Sequence, residues 1–265
     1  MRVMRIEDVK LLKNSLALHT YPVGIRFTDD LNEIPEKARR PYRDFKQKWA
    51  ICQAINISRY YGFTVGYSIE DAYCMVGAAV FNLLEKPEYI MEAGLEYPFH
   101  SRSLEEGRRL FERVLSRVLK KSIKAIIITP LTNPLVEPQI IVIYGSPIQI
   151  GKIVKAITYY GETVKSEFIG VSSCSAIPLA YNEGRGTFVI PCAGERILGG
   201  TEECEVWVVF PVELMDRVIE GLKGIEWIYP YPMRPLIYEP TVPKKYRITY
   251  KDYQEWLKEK HELNT

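Results

Sequence analysis

The spacing of hydrophobic and polar residues predicts an alternation of helices and strands. Helical periodicity occurs in four segments, residues 6–18, 49–61, 69–85 and 103–121. Runs of β-branched and aromatic residues, typical of strands, occur at residues 22–27, 63–67, 125–129 and 140–144. Ser103 and Glu106 form a capping-box pattern at the start of the last helix. We therefore expect an α/β fold in which helices pack on a mixed sheet.

Two later segments repeat one order of elements. A strand at 140–144 leads through Pro147 into a helix that ends near Gly161. A strand at 205–210 leads through Pro211 into a helix that ends near Gly224. Proline is favoured in the first turn of a helix. The order suggests a pseudo-repeat of β-α units on one sheet, although two ordinary β-α units explain it equally well.

The last forty residues differ in composition from the rest. Five prolines alternate with tyrosines over residues 228–247, which excludes a helix and predicts an extended arm. A terminal helix is expected at about 250–262, with aromatic residues on one side. We expect an α/β domain at 1–227 and the arm with its helix at 228–265. The arm packs on its own domain or on a second copy, and the latter would make a homodimer.

Composition narrows the class of protein. Hydrophobic residues make up 47% and charged residues 26% of the chain, as in globular proteins. No apolar run reaches the roughly 18 residues that span a membrane, and the N-terminus turns acidic where a signal peptide would turn apolar. Five widely spaced cysteines do not predict a disulfide framework. We expect a cytoplasmic protein, and the few amides beside many charges and aromatics indicate a thermophile.

Positive charge is concentrated in three segments. Residues 37–48 carry a net +5 and residues 108–124 a net +6, and Lys244, Lys245 and Arg247 add three more. Because the whole chain is only +2, the remainder is strongly acidic. A near-neutral net charge therefore conceals segregation of charge along the sequence.

The basic segments predict a surface for RNA. If the helix at 103–121 continues to residue 124, five basic side chains fall within an arc of about 80° around its axis. They would form a ridge roughly 22 Å long. Segment 37–49 interleaves arginines with aromatic rings, which suits unpaired RNA. The candidate RNA-binding residues are Arg39, Arg40, Arg43, Lys46, Arg109, Arg113, Arg117, Lys120, Lys121 and Lys124. A solvated surface paired with acidic residues is the alternative.

The leading functional hypothesis is a non-enzymatic protein that binds RNA or the ribosome. Its partner would be the ribosomal small subunit or another structured RNA. As a homodimer it would bridge subunits, as a hibernation factor or another regulator of translation does. No complete catalytic motif is present, and the three histidines are far apart in the sequence. No cofactor is expected under this hypothesis.

Two further sites are open alternatives. Cys52, Cys74, Cys174 and Cys192 lack a Cys-x-x-Cys spacing but could assemble a zinc or iron–sulfur site in space, which would make the chain a metal or redox protein. Burial in the core explains them as well. A glycine-rich turn could hold a small anion through backbone N–H groups, and turn geometry alone also explains it. Its candidate residues are Gly194, Arg196, Gly199 and Gly200.

Several short motifs, taken in order, resemble a known family. They are Pro22–Phe27, Cys52-Gln53, Glu70–Ala78, Ser173–Ala176 and Cys192–Arg196. Together they are similar to the archaeal and bacterial family called domain of unknown function 169 (uncharacterised ArCR). The resemblance covers roughly residues 15–225. It implies a single intracellular α/β domain and no particular reaction.

Overall fold

The core of the protein is a six-stranded sheet. The computed structural model describes residues 5–84, 100–166, 168–225 and 250–262. The strands are β1 (Val23–Thr28), β2 (Val65–Ser68), β3 (Ala125–Pro130), β4 (Ile140–Gly145), β5 (Thr187–Val189) and β6 (Val206–Pro211). Their order is β2-β3-β1-β4-β6-β5, and each neighbouring pair is antiparallel. The α/β fold is confirmed, with an antiparallel sheet.

Helices cover both faces of this sheet. They are α1 (Ile6–Leu16), α2 (Pro41–Phe45), α3 (Ile51–Tyr61), α4 (Met75–Val80), α5 (Leu104–Leu115), α6 (Pro147–Thr158), α7 (Ala176–Glu183), α8 (Met215–Gly224) and α9 (Tyr250–Glu262). One core joins the sheet to α3, α4, α5 and α7, and the other joins it to α1, α6 and α8. Along β4, Ile140, Val142 and Tyr144 enter the first core, and Ile141 and Ile143 enter the second. Period-two alternation thus explains why these apolar runs are buried on both sides.

The two β-α units lie side by side. β4 and β6 pair directly, and their helices α6 and α8 pack together in one core. Gly221 of α8 permits this contact, because a Cβ there would lie 2.5 Å from the carbonyl oxygen of Ala156. The repeated order of elements in the sequence therefore corresponds to two adjacent units on one face of the sheet.

The helix expected at 69–85 is broken, so the prediction of one continuous helix from periodicity was wrong. Ile69–Asp71 forms a 3-10 turn, and α4 begins only at Met75. The backbone between them pairs with Trp49 instead, whose N–H donates to Asp71 and whose carbonyl accepts from Tyr73, both at 2.9 Å. Residue 85 lies outside the described residues.

The helix expected at 103–121 begins as predicted after Ser103 but ends at Leu115. The N–H groups of residues 116–118 still bond locally, and those of the next two residues bond to distant parts of the chain. The N–H of Leu119 donates to the carbonyl of Val80 at 2.9 Å, and the N–H of Lys120 donates to Asn182 Oδ1 at 3.1 Å. Backbone groups satisfied in this way cannot continue the helical ladder.

The chain divides into two units, Met1–Ile225 and Glu226–Thr265. In the second unit, α9 carries Tyr250, Tyr253 and Trp256, whose rings follow one another at centroid distances of 6.4 and 6.3 Å. The terminal helix is confirmed, and the predicted arm at 228–247 lies outside the described residues. Among the described helices, none is long and apolar enough to cross a membrane.

Candidate functional site

Four of the five cysteines line one cavity, although they come from four separate segments. Cys52 lies in the first turn of α3, and Cys74 is the N-cap residue of α4. Cys174 lies in the 3-10 turn Ser173–Ser175, and Cys192 lies in the loop after β5. The cavity has a volume of about 160 Å³, well above the roughly 10–15 Å³ that one water needs. The four candidates named from the sequence thus meet in space.

The local backbone explains how these segments come so close. The π-helical turn Glu195–Gly199 packs on α3 through Gly199. A Cβ at Gly199 would lie 2.5 Å from Asn56 Nδ2 and 3.3 Å from the carbonyl oxygen of Cys52. Ser172 has a left-handed backbone, with φ of 48°, where the chain turns into the cavity wall. Such a conformation is uncommon for a residue other than glycine, so the surrounding structure must hold it.

The four cysteines are half-buried residues in the wall of one cavity. Burial raises the pKa of the Cys52 thiol, and the nearby Glu195 and Cys74 raise it further. Burial also raises the pKa of Cys174, with added contributions from Cys52, Cys74 and Cys192. Cys52 and Cys174 are therefore protonated at neutral pH unless a cation stabilises their thiolates.

A buried carboxyl group lies in the wall of the same cavity. Glu195 is 1% exposed and accepts hydrogen bonds from Tyr144 Oη at 2.7 Å, Trp207 Nε1 at 3.2 Å and Thr201 Oγ1 at 3.3 Å. It also accepts one from Ser173 Oγ. Burial raises the pKa of Glu195, and these four donors offset part of that effect. Donors from β4, from β6, from the 3-10 turn Ser173–Ser175 and from the loop before β6 thus converge on one acid.

Ser173 connects this acid to the thiols. Its Oγ lies 3.2 Å from the Sγ of Cys192 and within hydrogen-bonding distance of Glu195 Oε2. The hydroxyl therefore stands between one cysteine of the cavity and the buried carboxyl group.

Arg59 lies over the ring of Tyr144, whose hydroxyl donates to Glu195. It is fully buried, pairs with both oxygens of Glu205 at 2.6 Å, and lies over the rings of Tyr60 and Tyr144 at 4.2 and 4.1 Å. A second cavity, of about 460 Å³, borders Tyr60, Tyr144 and Glu205. Tyr144 therefore connects the two cavities, because it borders the second one and its hydroxyl donates to Glu195 in the wall of the cysteine cavity.

The candidate RNA-binding residues of segment 37–48 differ in their surroundings. Arg39 and Lys46 are exposed. Arg43 is also exposed but pairs with the carboxylate of the next residue at 2.6 Å. Arg40 is only 18% exposed and donates to the buried Asp71 at 2.8 Å. Arg40 therefore holds the chain against Asp71, and three of the four side chains remain at the surface.

The continuous basic ridge predicted for 103–124 is wrong. Of the five residues of the predicted ridge, only two lie on α5, because the helix ends at Leu115; the five are Arg109 and Arg113, on the helix, and Arg117, Lys120 and Lys124, beyond it. Arg117 is 6% exposed and borders a cavity next to Cys192. Beyond the helix, Lys120 and Lys124 are exposed and Lys121 is half-buried. The exposed basic residues therefore do not follow one helical stripe.

Three of the four candidate anion-binding residues in the glycine-rich turn have a structural explanation. The Arg196 guanidinium donates to the carbonyl oxygen of Glu202, which fixes the following loop. Gly199 packs on α3, and Gly200 has a left-handed φ of 72° that closes the turn. Gly194 lines the cysteine cavity. Anion binding by this turn stays a prediction.

Sequence reasoning missed the buried polar network that adjoins the cysteine cavity through Glu195. Tyr144 and Trp207 lie within apolar runs that read as plain strands, and Arg59 lies within an ordinary helix. Ser173 and Glu195 do lie in two of the short motifs quoted above, which was the one available signal. In the described part of the chain, no three His, Cys, Asp or Glu side chains form a group that could hold a metal ion as placed.

The fold and this site together define an α/β protein with a cysteine-lined cavity beside its sheet. The chain belongs to the family described as domain of unknown function 169, uncharacterised ArCR, whose model matches residues 11–221. The match confirms the resemblance, and it includes all four cavity cysteines but not α9. No curated protein and no solved structure matches the chain.

Proposed function

We propose that the protein binds a thiophilic metal, as a single ion or an iron–sulfur cluster, through Cys52, Cys74, Cys174 and Cys192. The observation that carries the proposal is the convergence of four thiols from four segments on one cavity. Four thiolates are a ligand set that zinc, copper(I) and iron–sulfur clusters prefer.

Exposure favours a site over simple core packing. Cysteine is among the most buried residue types, so a packing role predicts sulfur atoms enclosed by neighbours. Cys74 and Cys174 do pack against the hydrophobic core, but all four residues are only half-buried and border a shared space, and the fifth, Cys204, is exposed elsewhere. Half-buried thiols that share a cavity are open to a ligand that enters it.

Binding would change the state of the thiols. Their sulfurs line the wall, and within the described residues they do not yet form a metal-holding group. Ligation would turn the side chains inward about χ1, between staggered rotamers. It would also release protons, because thiolate rather than thiol is the ligand and burial keeps Cys52 and Cys174 protonated.

A cobalt titration tests the proposal. Co²⁺ is added anaerobically to metal-free protein, and the thiolate-to-cobalt charge-transfer band reports sulfur ligation. We expect saturation at one equivalent in the parent protein and in Cys204→Ser, which changes a cysteine outside the cavity. Cys74→Ser and Cys192→Ser should weaken binding at least tenfold. Equal titrations in all four proteins would contradict the proposal.

We propose RNA binding as a second candidate function, supported by a different surface. The guanidinium of Arg39 lies 5.6 Å from the ring centroid of Phe63, which stacks with Tyr61 at 6.1 Å. Tyr61 is 65% and Phe63 38% exposed. Exposed rings beside an arginine suit stacking with unpaired bases. Co-sedimentation with ribosomal subunits at low salt, lost in Phe63→Ala and at high salt, is the expected result, and absence of binding at low salt would refute it.

A further inference from the structure

The second cavity, which Tyr144 borders, lies where four separate segments of the chain meet. Its lining comes from the segment before β1, the end of α3, the junction of β4 with α6 and the loop before β6. Its volume of about 460 Å³ falls within the roughly 300–1,000 Å³ of small-molecule sites. The cavity can therefore hold a small organic ligand, and the proposed metal site does not use it.

The charge of this lining favours a cation. Two carboxylates, Glu202 and Glu205, border the cavity. Among the described residues no lysine or arginine does so, and His19 is the basic side chain of the lining. Glu205 is already paired through both oxygens with Arg59, which is fully buried and lies outside the lining. The charge of Glu202 therefore remains for a ligand.

The carboxylate of Glu202 is placed to receive an ammonium group. Its side chain is exposed and, within the described part of the chain, has no ion-pair partner; Cys204 Sγ lies 3.8 Å from its Oε2. Its backbone is anchored, because its N–H donates to Glu205 Oε2 at 3.0 Å and its carbonyl oxygen accepts from Arg196. An ammonium can thus pair with this carboxylate without first breaking an ion pair of the protein.

The start of α6 does not make the cavity an anion site. A helix N-terminus attracts anions through N–H groups that lack partners. Here the N–H of Ser146 donates to Gln149 Oε1 at 2.8 Å, and the N–H of Gln149 donates to Ser146 Oγ at 3.4 Å. Pro147, the first residue of the helix, has no N–H. The capping box therefore occupies groups that would otherwise bind a phosphate or a carboxylate.

We propose that this cavity binds a small aliphatic amine through its ammonium group. Glu202 provides the charge, and the hydroxyl oxygens of Thr20 and Ser146 provide further acceptors on other sides of the cavity. The ring of Tyr60, 37% exposed, also borders the space, and aromatic rings attract ammonium groups. Because these acceptors need N–H donors, they favour a primary amine over a quaternary one.

The thiol of Cys204 gives a direct readout, because it is exposed and borders the cavity. Iodoacetamide alkylates this thiol, and mass spectrometry of the peptide that contains it measures the rate. Saturating putrescine should slow the alkylation at least about fivefold. Butanediol has the same carbon chain with hydroxyls in place of ammonium groups, and it should leave the rate unchanged.

Calorimetric titration with putrescine locates the binding site. The proteins are the parent, Glu202→Gln and the control Glu203→Gln, which changes an exposed neighbouring acid outside the described lining. Loss of a hydrogen bond between charged groups should weaken binding about tenfold in Glu202→Gln. Glu203→Gln should bind as the parent does.

The results that would overturn the proposal are distinct. They are no putrescine binding by the parent, equal weakening in Glu202→Gln and Glu203→Gln, equal protection of Cys204 by putrescine and butanediol, or binding of inorganic phosphate in place of putrescine. If Glu202→Gln fails to fold, the alkylation of Cys204 in the parent decides. None of these measurements depends on the proposed metal site, so the two proposals fail separately.

Discussion

Glu205→Gln removes the charge partner of a fully buried arginine. Arg59 has no exposed surface, and both of its terminal nitrogens donate to Glu205 at 2.6 Å. Removing one member of a buried pair leaves an uncompensated charge, which costs about 3–5 kcal/mol. Since domains are stable by roughly 5–15 kcal/mol, this is a large fraction. For a unit of this size we expect the thermal midpoint to fall by about 6–20 °C.

The same pair predicts a dependence on pH. Burial alone would raise the pKa of Glu205, but the hydrogen bonds and charge of Arg59 outweigh it and lower the pKa below its usual value. A lowered carboxyl pKa contributes stability above the unfolded value, near 4.5, and that stability is lost as the pH falls through the folded value. The Glu205→Gln variant should lack this contribution to the free energy of unfolding, so its stability should not show the corresponding loss as the pH falls.

Urea unfolding of the parent, Glu205→Gln and Glu33→Gln measures the effect. Glu33 pairs with Arg26 at 3.1 Å, but both side chains are partly exposed, so Glu33→Gln should cost only about 0–1 kcal/mol. A cost for Glu205→Gln within about 1 kcal/mol of that control would refute the view of Arg59 as a buried, paired charge.

Two further results are expected. Gly221→Ala should destabilise by about 1–3 kcal/mol, because its Cβ would lie 2.5 Å from the carbonyl oxygen of Ala156. Gly151→Ala, in open space on α6, should stabilise by up to about 1 kcal/mol, and equal effects in urea unfolding would contradict the packing. Reversing Arg109 and Arg113, both exposed on α5, should weaken ribosome co-sedimentation at unchanged thermal midpoint, and unchanged binding would exclude this face.

Local patterns predicted five of the six strands, all except β5, and several helices, because burial on a sheet or a helix face leaves a periodic signature. They failed where long-range contacts compete for the backbone. The chain does not resume the helix after α5, because the distant residues Val80 and Asn182 accept from the N–H groups of residues 119 and 120. The ridge depended on that helix, so it failed with it. Periodicity alone contains no information about such partners.

The cysteine cavity was accessible to sequence reasoning only in part. Four cysteines are few enough to be named as a set from their chemistry alone, whatever their spacing. Glu195 could not be placed beside them, because its role depends on Tyr144 and Trp207 reaching it from β4 and β6. Nor could the spacing show that Ser173 contacts Cys192, since this requires the left-handed turn at Ser172.

Metal and acid-labile sulfide content of anaerobically purified protein tests the central claim most directly. The account predicts zinc, copper, or iron with sulfide, in a stoichiometric amount per chain. The same content is expected in Cys204→Ser, and at least a tenfold loss in Cys192→Ser. A parent protein that is metal-free as purified and takes up none on anaerobic reconstitution would contradict it.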